Sequence, residues 1–373
     1  MKITHVLLGK ADPELMGGIN KVVHNLATEQ IKLGHEVRVF GIAEDYQTIK
    51  HHHIYELSLF PKKNQRFLIH KSLKKAVKQS SDDWVFHLHS SFRPEIYLVS
   101  RILKKYNFRW VHTPHGGYTD VSLRKNYLFK KIYFYFFEKR IVNGALAIQS
   151  LGEKVNVGKE NSKKIERVPN GFELSRNYKD KYTSKGLLNI CFCGRVEKHY
   201  KGLDKLFHAI EIISKKDVRL MLNVIGDGPD LEYFTNYCIT KKLDHIVNFL
   251  GAKFGQEKIG LILKNDLFIL TSRSEGLPTG VLEAASLGLP LLVSQETNLG
   301  SYILSCSSGY VLDSNNPNEI AQEIIKAVND KSSGVLEFFG SNARKMIVEH
   351  FNWHKIAVQM DKKIYSMAYS KNS

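Results

Sequence analysis

The feature that most constrains this chain is an alternation of short apolar runs with stretches of helical spacing, interrupted once and then resumed. Apolar runs of strand length occupy residues 3–8, 35–42, 84–89, 109–113, 145–149 and 165–168. Between them lie helically spaced apolar residues such as Ile19, Val22, Val23, Leu26 and Ala27. Strand, helix and strand in succession imply right-handed crossovers and a parallel sheet, the α/β class. Asn170-Gly171 and the polar stretch 175–185 read as a linker. The pattern then resumes, with strand-like runs at 187–193, 219–225, 246–250, 267–271 and 289–293 and helical stretches between. A last helical stretch, 354–365, follows Phe351-Asn352-Trp353. The 373 residues suit a first domain over 1–175, a second over 186–350 and a C-terminal helix over 351–373 that packs back on the first. Doubly wound sheets bind ligands beyond the carboxyl ends of their strands, so a cleft between the two domains is the expected site.

Charge divides the chain unevenly. Residues 1–180 carry 31 basic and 17 acidic side chains, whereas the remainder carries 23 and 20, out of a net +17. The basic half is suited to an anionic membrane surface, a phosphorylated acceptor or nucleic acid, and equally to a solvated lysine-rich surface. A hydrophobic content of 43% excludes a disordered chain. The opening apolar run is too short for a signal segment and no long apolar stretch follows, so a cytoplasmic protein, soluble or peripheral on the inner face of the membrane, is expected. Cys191, Cys193, Cys238 and Cys306 show no zinc-like spacing and read as small packing groups.

Three constellations carry chemistry. Gly17-Gly18, between the first strand and helix, lets a ligand approach the backbone, but GxGxxG is absent and a nicotinamide cofactor is not supported. Gly194-Arg195 and Lys201-Gly202 end one loop at a helix start, where two cations suit a diphosphate. The third is Ser274-Glu275-Gly276-Leu277-Pro278-Thr279-Gly280-Val281-Leu282-Glu283. Here the helix amides from Thr279 through Gly280 and Val281 to Leu282 are expected beside two carboxylates, with Glu283 in the first helical turn.

These residues resemble the retaining glycosyltransferases of the GT-B fold, in family 4. Glu275 and Glu283 match the family's two glutamates with seven residues between them, and Gly194, Arg195, Lys201 and Gly202 match its loop. His115-Gly116, Val-Pro-Asn-Gly at 168–171 and Gly226-Asp227-Gly228-Pro229 extend the similarity over nearly the whole chain. The resemblance implies two Rossmann-like domains with parallel sheets facing a central cleft. It implies that Gly17 and Gly18 admit the diphosphate, that Arg195 and Lys201 neutralise it, that Glu283 holds the ribose and Glu275 the sugar hydroxyls, and that His115 contacts the donor sugar or its phosphate. It further implies a nucleotide-sugar donor, uridine by default and guanosine-mannose next, a glycan or lipid-linked acceptor of bacterial polysaccharide or lipopolysaccharide synthesis, and neither metal nor other cofactor. Leu277-Pro278-Thr279 departs from the Gly or aromatic residue that many relatives carry after Glu-Gly.

Transfer places positive character on the sugar and negative charge on the departing diphosphate, which fixed cations and helix amides stabilise. No carboxylate reads as a nucleophile, so same-face attack with the leaving phosphate taking the acceptor's proton is expected. Two other classes compete with this reading. A nucleic-acid-directed protein rests on charge alone, and a nucleotide-sugar epimerase is opposed by the Glu275 to Glu283 spacing. His51-His52-His53 reads as a solvated loop, and His87 and His89 share a strand face as acceptor contacts or core residues. The aromatic and basic stretch 124–142 fits either a helix in a membrane interface or, since its apolar positions nearly encircle it, a buried helix, the reading its pattern favours.

Overall fold

The computed structural model describes residues 1–13, 18–48, 52–124, 126–152 and 155–369, with the backbone alone for Asp120, Val121 and Tyr369. The chain divides into two compact units, Met1–Gly171 with Trp353–Ser373 and Phe172–Asn352. Among the described residues, the first unit holds seven strands: β1 (Lys2–Leu8), β2 (Glu36–Ala43), β3 (Glu56–Pro61), β4 (Trp84–His89), β5 (Arg109–Thr113), β6 (Ile148–Ser150) and β7 (Ile165–Arg167). Their order is β3-β2-β1-β4-β5-β6-β7, every pair parallel. The second unit holds β8 (Leu188–Cys193), β9 (Leu220–Ile225), β10 (Val247–Gly251), β11 (Leu267–Leu270), β12 (Leu291–Ser294) and β13 (Gly309–Leu312). These run β10-β9-β8-β11-β12-β13, again all parallel. Both sheets reverse direction beside their first strand, between β1 and β4 and between β8 and β11, which is where doubly wound sheets bind ligands.

The strands read as unbroken apolar runs because helices cover both faces. β11 and β12 are buried at every position, and they share one core with helix Leu203–Ser214 and helix Pro317–Ser332. In the first unit, the segment after Trp353 packs across one sheet face. Ile356, Ala357, Met360, Ile364, Tyr365 and Ala368 are buried against Ile3, Leu26, Val85 and Val111. At about 1.5–3 kcal/mol for each large apolar side chain buried, that return is worth several kcal/mol to the first sheet.

Two expectations change. The stretch 175–185 is no free linker: Lys179 donates its backbone N–H to Leu287 O at 2.8 Å and pairs with Asp266 at 2.9 Å, while the Tyr182 hydroxyl donates to Gly288 O. Stretch 124–142 is not one buried helix. It comprises Asp120–Arg124, Tyr127–Tyr133, a π-helical turn Phe134–Glu138 and Lys139–Gly144. Tyr133, Glu138, Ile141 and Val142 face inward, but Tyr127, Leu128, Phe129, Ile132, Tyr135 and Phe136 are exposed. Encirclement by apolar residues therefore signals a second, outward apolar face. Among the described residues, no helix is long and apolar enough to cross a membrane.

Candidate functional site

The second unit carries a cavity of about 440 Å³ at the carboxyl ends of β8, β9, β10 and β11. Its walls come from four successive loops. The loop after β8 supplies Gly194, Arg195 and Lys201, that after β9 Gly226 and Asp227, that after β10 Lys253, Phe254 and Lys258, and that after β11, with the helix it enters, Glu275, Leu277, Pro278, Thr279, Gly280 and Glu283. The first two loops clasp one another through Gly194 N–H to Ile225 O at 3.0 Å and Val196 N–H to Asp227 O at 2.9 Å. That clasp demands glycine at 226, where a Cβ would lie 1.8 Å from Gly194 O. Gly202 is held in the left-handed region, φ +62°, with Thr271 O 2.1 Å from where its Cβ would be.

Both glutamates are half-used. Glu275 Oε1 pairs with Lys201 Nζ at 2.6 Å and accepts from Ser272 Oγ at 2.6 Å, and Glu283 Oε1 pairs with Lys258 Nζ at 2.7 Å. Among the described residues neither Oε2 has a partner, so each carboxylate can still accept from a hydroxyl. Asn298 clamps the Glu275 turn, donating to the carbonyls of Glu275 and Gly276 at 2.6 and 3.1 Å. Arg273 makes a two-pronged pair with Asp204, both bonds 2.7 Å, and also donates to His199 O at 2.9 Å, which fixes the loop bearing Lys201. Arg195 stays out of this web; its side chain is 65% exposed, with Glu197 near it at 3.8 Å. Burial, with Glu283 adding to it, pushes the Cys193 thiol up to about 11, so it lines the cavity as a neutral group.

The helix Thr279–Ser286 departs from the expected donor array. Val281 and Leu282 are buried and spend their N–H groups on Pro278 O at 3.1 and 3.4 Å. The amides left at that helix start are those of Thr279 and Gly280, both lining the cavity. Glu283 is the fifth helical residue, not a first-turn residue, and its charge is met by Lys258 rather than by the helix dipole alone. Sequence reasoning missed Lys258, Lys253, Phe254 and Asp227. Asp227 stood inside a quoted motif, but the other three come from a segment with no spacing signature.

In the first unit, Gly17 lies outside the described residues, as does His51. Gly18 opens helix Gly18–Lys32 and is exposed. His115 follows β5 with φ +49°, and Ala11, Ser90 and Phe92 also take positive φ in the loops after β1 and β4. Non-glycine residues hold such angles only where their surroundings impose them, commonly at functional loops. His115 Nε2 lies 3.0 Å from His89 Nδ1, and His87 and His89 are fully buried. Burial pulls the His115 imidazole down to about 3, so it is neutral at physiological pH. His5, His87 and His89 each bring one nitrogen within 4.8 Å of the others, close enough for a metal, but all six ring nitrogens already have protein partners.

Two family descriptions match consecutive parts of the chain: Glycosyltransferase Family 4 over residues 16–176 and Glycosyl transferases group 1 over 175–346. An uncharacterized glycosyltransferase of Methanocaldococcus jannaschii is 24% identical over 368 residues, spanning 98% of this chain and 99% of that one. An Escherichia coli protein named UDP-Gal:alpha-D-GlcNAc-diphosphoundecaprenol alpha-1,3-galactosyltransferase is 26% identical over 301 residues, 75% of this chain and 74% of its own. Among solved structures, Anabaena HepE in complex with UDP superposes with a TM-score of 0.70 at 15% identity, covering 98% of this chain and all of the other.

Proposed function

We propose that this chain, which belongs to the group 1 glycosyltransferases of GT-B fold, moves a hexose from a uridine diphosphate donor to a lipid-linked glycan with retention of anomeric configuration and without a metal. The observation that carries the donor site is the cavity of the second unit, where four cations, Arg195, Lys201, Lys253 and Lys258, and two helix amides accompany two half-used carboxylates. In this reading Arg195, Lys201 and the amides of Thr279 and Gly280 hold the diphosphate, Glu283 the ribose and Glu275 the sugar hydroxyls. Phe254, 69% exposed at the rim, offers a face for the base. His115 of the first unit meets a hydroxyl of the donor sugar. The bond from the anomeric carbon to the diphosphate breaks, the acceptor oxygen bonds to that carbon from the same face, and the acceptor's proton passes to a departing phosphate oxygen. Uridine is favoured because the E. coli relative is named for a UDP donor and HepE is seen with UDP.

The acceptor reading rests on the outer face of 127–136. Leu128, Phe129, Ile132, Tyr135 and Phe136 form an exposed apolar stripe at helical spacing. Beside it lies a basic hollow of about 520 Å³ bounded by Arg101, Lys104, Lys105 and Arg140. Tyr97 lines the hollow; its hydroxyl accepts from Arg140 at 3.0 Å and its ring meets Phe137, the sequence neighbour of Phe136, at 5.0 Å. Aromatics in the headgroup zone with cations on lipid phosphates would bring the enzyme to a lipid-linked acceptor, such as the one in the E. coli relative's name. Vesicles containing phosphatidylglycerol should sediment the protein and pure phosphatidylcholine should not. Phe129→Glu should release it, and binding indifferent to lipid charge would refute the surface.

The first test of the donor site is calorimetric titration of UDP, GDP and ADP into the wild type and Lys201→Ala. UDP should bind, and the variant should bind it at least about tenfold more weakly, the scale of one lost charge-assisted contact. Absence of binding by all three to folded protein would refute the site. Activity should survive EDTA.

A further inference from the structure

Six buried polar residues of the first unit, Gln149, Thr113, His87, Gln30, His5 and His89, lie with Tyr365 and His115 on one hydrogen-bonded chain, and its direction can be deduced. The Val168 carbonyl can only accept, and Gln149 Nε2 donates to it at 2.9 Å. That orients the Gln149 amide, so its Oε1 accepts from the Thr113 hydroxyl at 2.6 Å. With its proton committed, Thr113 Oγ1 must accept from His87 Nε2–H at 2.6 Å. A neutral His87 then has a lone pair on Nδ1, which accepts from the Tyr365 hydroxyl at 2.7 Å. Tyr365 Oη in turn accepts from Gln30 Nε2 at 3.1 Å, which turns Gln30 Oε1 toward His5 Nε2–H at 2.7 Å. His5 Nδ1 accepts from His89 Nε2–H at 2.9 Å, and His89 Nδ1 accepts from His115 Nε2–H at 3.0 Å.

Neutrality of the histidines is the condition for this logic, and burial supplies it. His5, His87 and His89 are fully buried with no carboxylate hydrogen-bonded to any of them. Burial, against the hydrogen bond with Gln30, pulls His5 down to about 4, and burial, with the neighbouring rings adding to it, holds His87 and His89 well below the ordinary imidazole range. Tyr365 reaches this chain from the π-helical turn Asp361–Tyr365, in the segment that returns from the far end of the sequence. The π turn and the return of the chain thus act on the same hydrogen bonds.

We infer that this chain, anchored at the Val168 carbonyl, locks His115 as the neutral Nε2–H tautomer and so presents its Nδ1 as a hydrogen-bond acceptor. Among the described residues that nitrogen has no partner. Resting on the proposed role of His115, the lock makes the imidazole an acceptor for a sugar hydroxyl and unable to donate to a phosphate oxygen through Nδ1. The donor must therefore carry a hydroxyl at the position it meets, and a sugar deoxygenated there would leave that acceptor unmet. Tyr365, Gln30, His5 and His89 are positioning residues; they act through His115 and touch no substrate.

The test is nitrogen-15 NMR of the imidazoles in the full chain at neutral pH, for wild type, Tyr365→Phe and His89→Phe. In the wild type His115 should be entirely Nε2–H. Tyr365→Phe removes the acceptor for Gln30 and the donor to His87, so the Gln30 amide is free to turn and His115 should become a mixture of tautomers. His89→Phe should give the same mixture by removing the neighbour directly. An Nδ1–H form in the wild type, or an unchanged His115 in Tyr365→Phe, would overturn the inference. Hydrolysis of UDP-galactose by the same variants separates the lock from the sugar contact. A raised KM accompanying the tautomer shift supports both, whereas a shifted tautomer with unchanged KM removes His115 from the sugar and leaves the lock standing.

Discussion

Acidification from pH 7 to pH 5 should destabilise the first unit selectively. His5 and His112 titrate near 6.5 when exposed and near about 4 in the fold, because burial disfavours the imidazolium. A depressed folded pKa contributes stability that is complete above about 6.5 and is lost as pH falls toward about 4, since the unfolded chain takes up protons first. At pH 5 the loss is about 2 kcal/mol for each of these two residues. Burial, with the neighbouring rings adding to it, also lowers His87 and His89, which act in the same direction. Glu138 opposes them. Burial raises its carboxyl to about 7, against the hydrogen bonds from Tyr118 and Phe92 N–H, so its protonated folded form gains about 2 kcal/mol over the same interval. The two histidines and Glu138 alone leave a deficit of about 2 kcal/mol, and His87 and His89 enlarge it, against a typical domain stability of about 5–15 kcal/mol. All three tryptophans, Trp84, Trp110 and Trp353, lie in the first unit, so their fluorescence reports that unit alone. In urea the fluorescence midpoint should fall by about 1 M or more between pH 7 and pH 5. A midpoint unchanged or raised at pH 5 would show that these histidines are charged or solvated in the native protein.

Three further outcomes follow from the second unit. Gly226→Ala should destabilise it by about 3 kcal/mol or more, because a Cβ 1.8 Å from Gly194 O forces the two strand-end loops apart; differential scanning calorimetry reads this as a lowered transition. Arg273→Lys cannot reproduce the two-pronged pair with Asp204 and should weaken UDP binding several-fold at a stability cost of about 1 kcal/mol, read by calorimetric titration and urea melts. Glu283→Gln keeps the shape but replaces the charged acceptor assigned to the ribose by a neutral amide, so UDP affinity should fall while that for inorganic pyrophosphate, with Lys258 no longer neutralised, does not; equal losses for both ligands would place Glu283 away from the ribose.

Fold class was legible because it depends on periodicity, which is local. The run of apolar residues in β8 or β11 announces a strand covered on both faces wherever it occurs in the chain. The cavity was legible in part for the same reason. Gly194, Arg195, Lys201, Glu275, Thr279 and Gly280 stand in loops between a strand end and a helix start that spacing reveals, with Glu283 one turn into the helix, and a doubly wound sheet brings such loops to one edge. What spacing could not show is pairing across elements. Lys258 sits in an ordinary amphipathic helix, 25 residues before the carboxylate it neutralises, and nothing near it in sequence distinguishes it from Lys264.

The same limit explains the helix start at Thr279. Sequence identifies four amides there, but which of them are spent is decided by one carbonyl, that of Pro278. The buried chain of the first unit presents the stronger case. Periodicity places His87 and His89 on one face of β4 and says no more, because their tautomers follow from a chain that runs through Val168, Gln149, Tyr365 and Gln30. These partners are separated by up to 335 residues, the interval between Gln30 and Tyr365. A residue's type fixes what it can donate or accept, whereas the direction of a hydrogen-bonded chain is fixed by the one group in it that has no choice. Here that group is a backbone carbonyl, present at every position of the sequence and therefore marked at none.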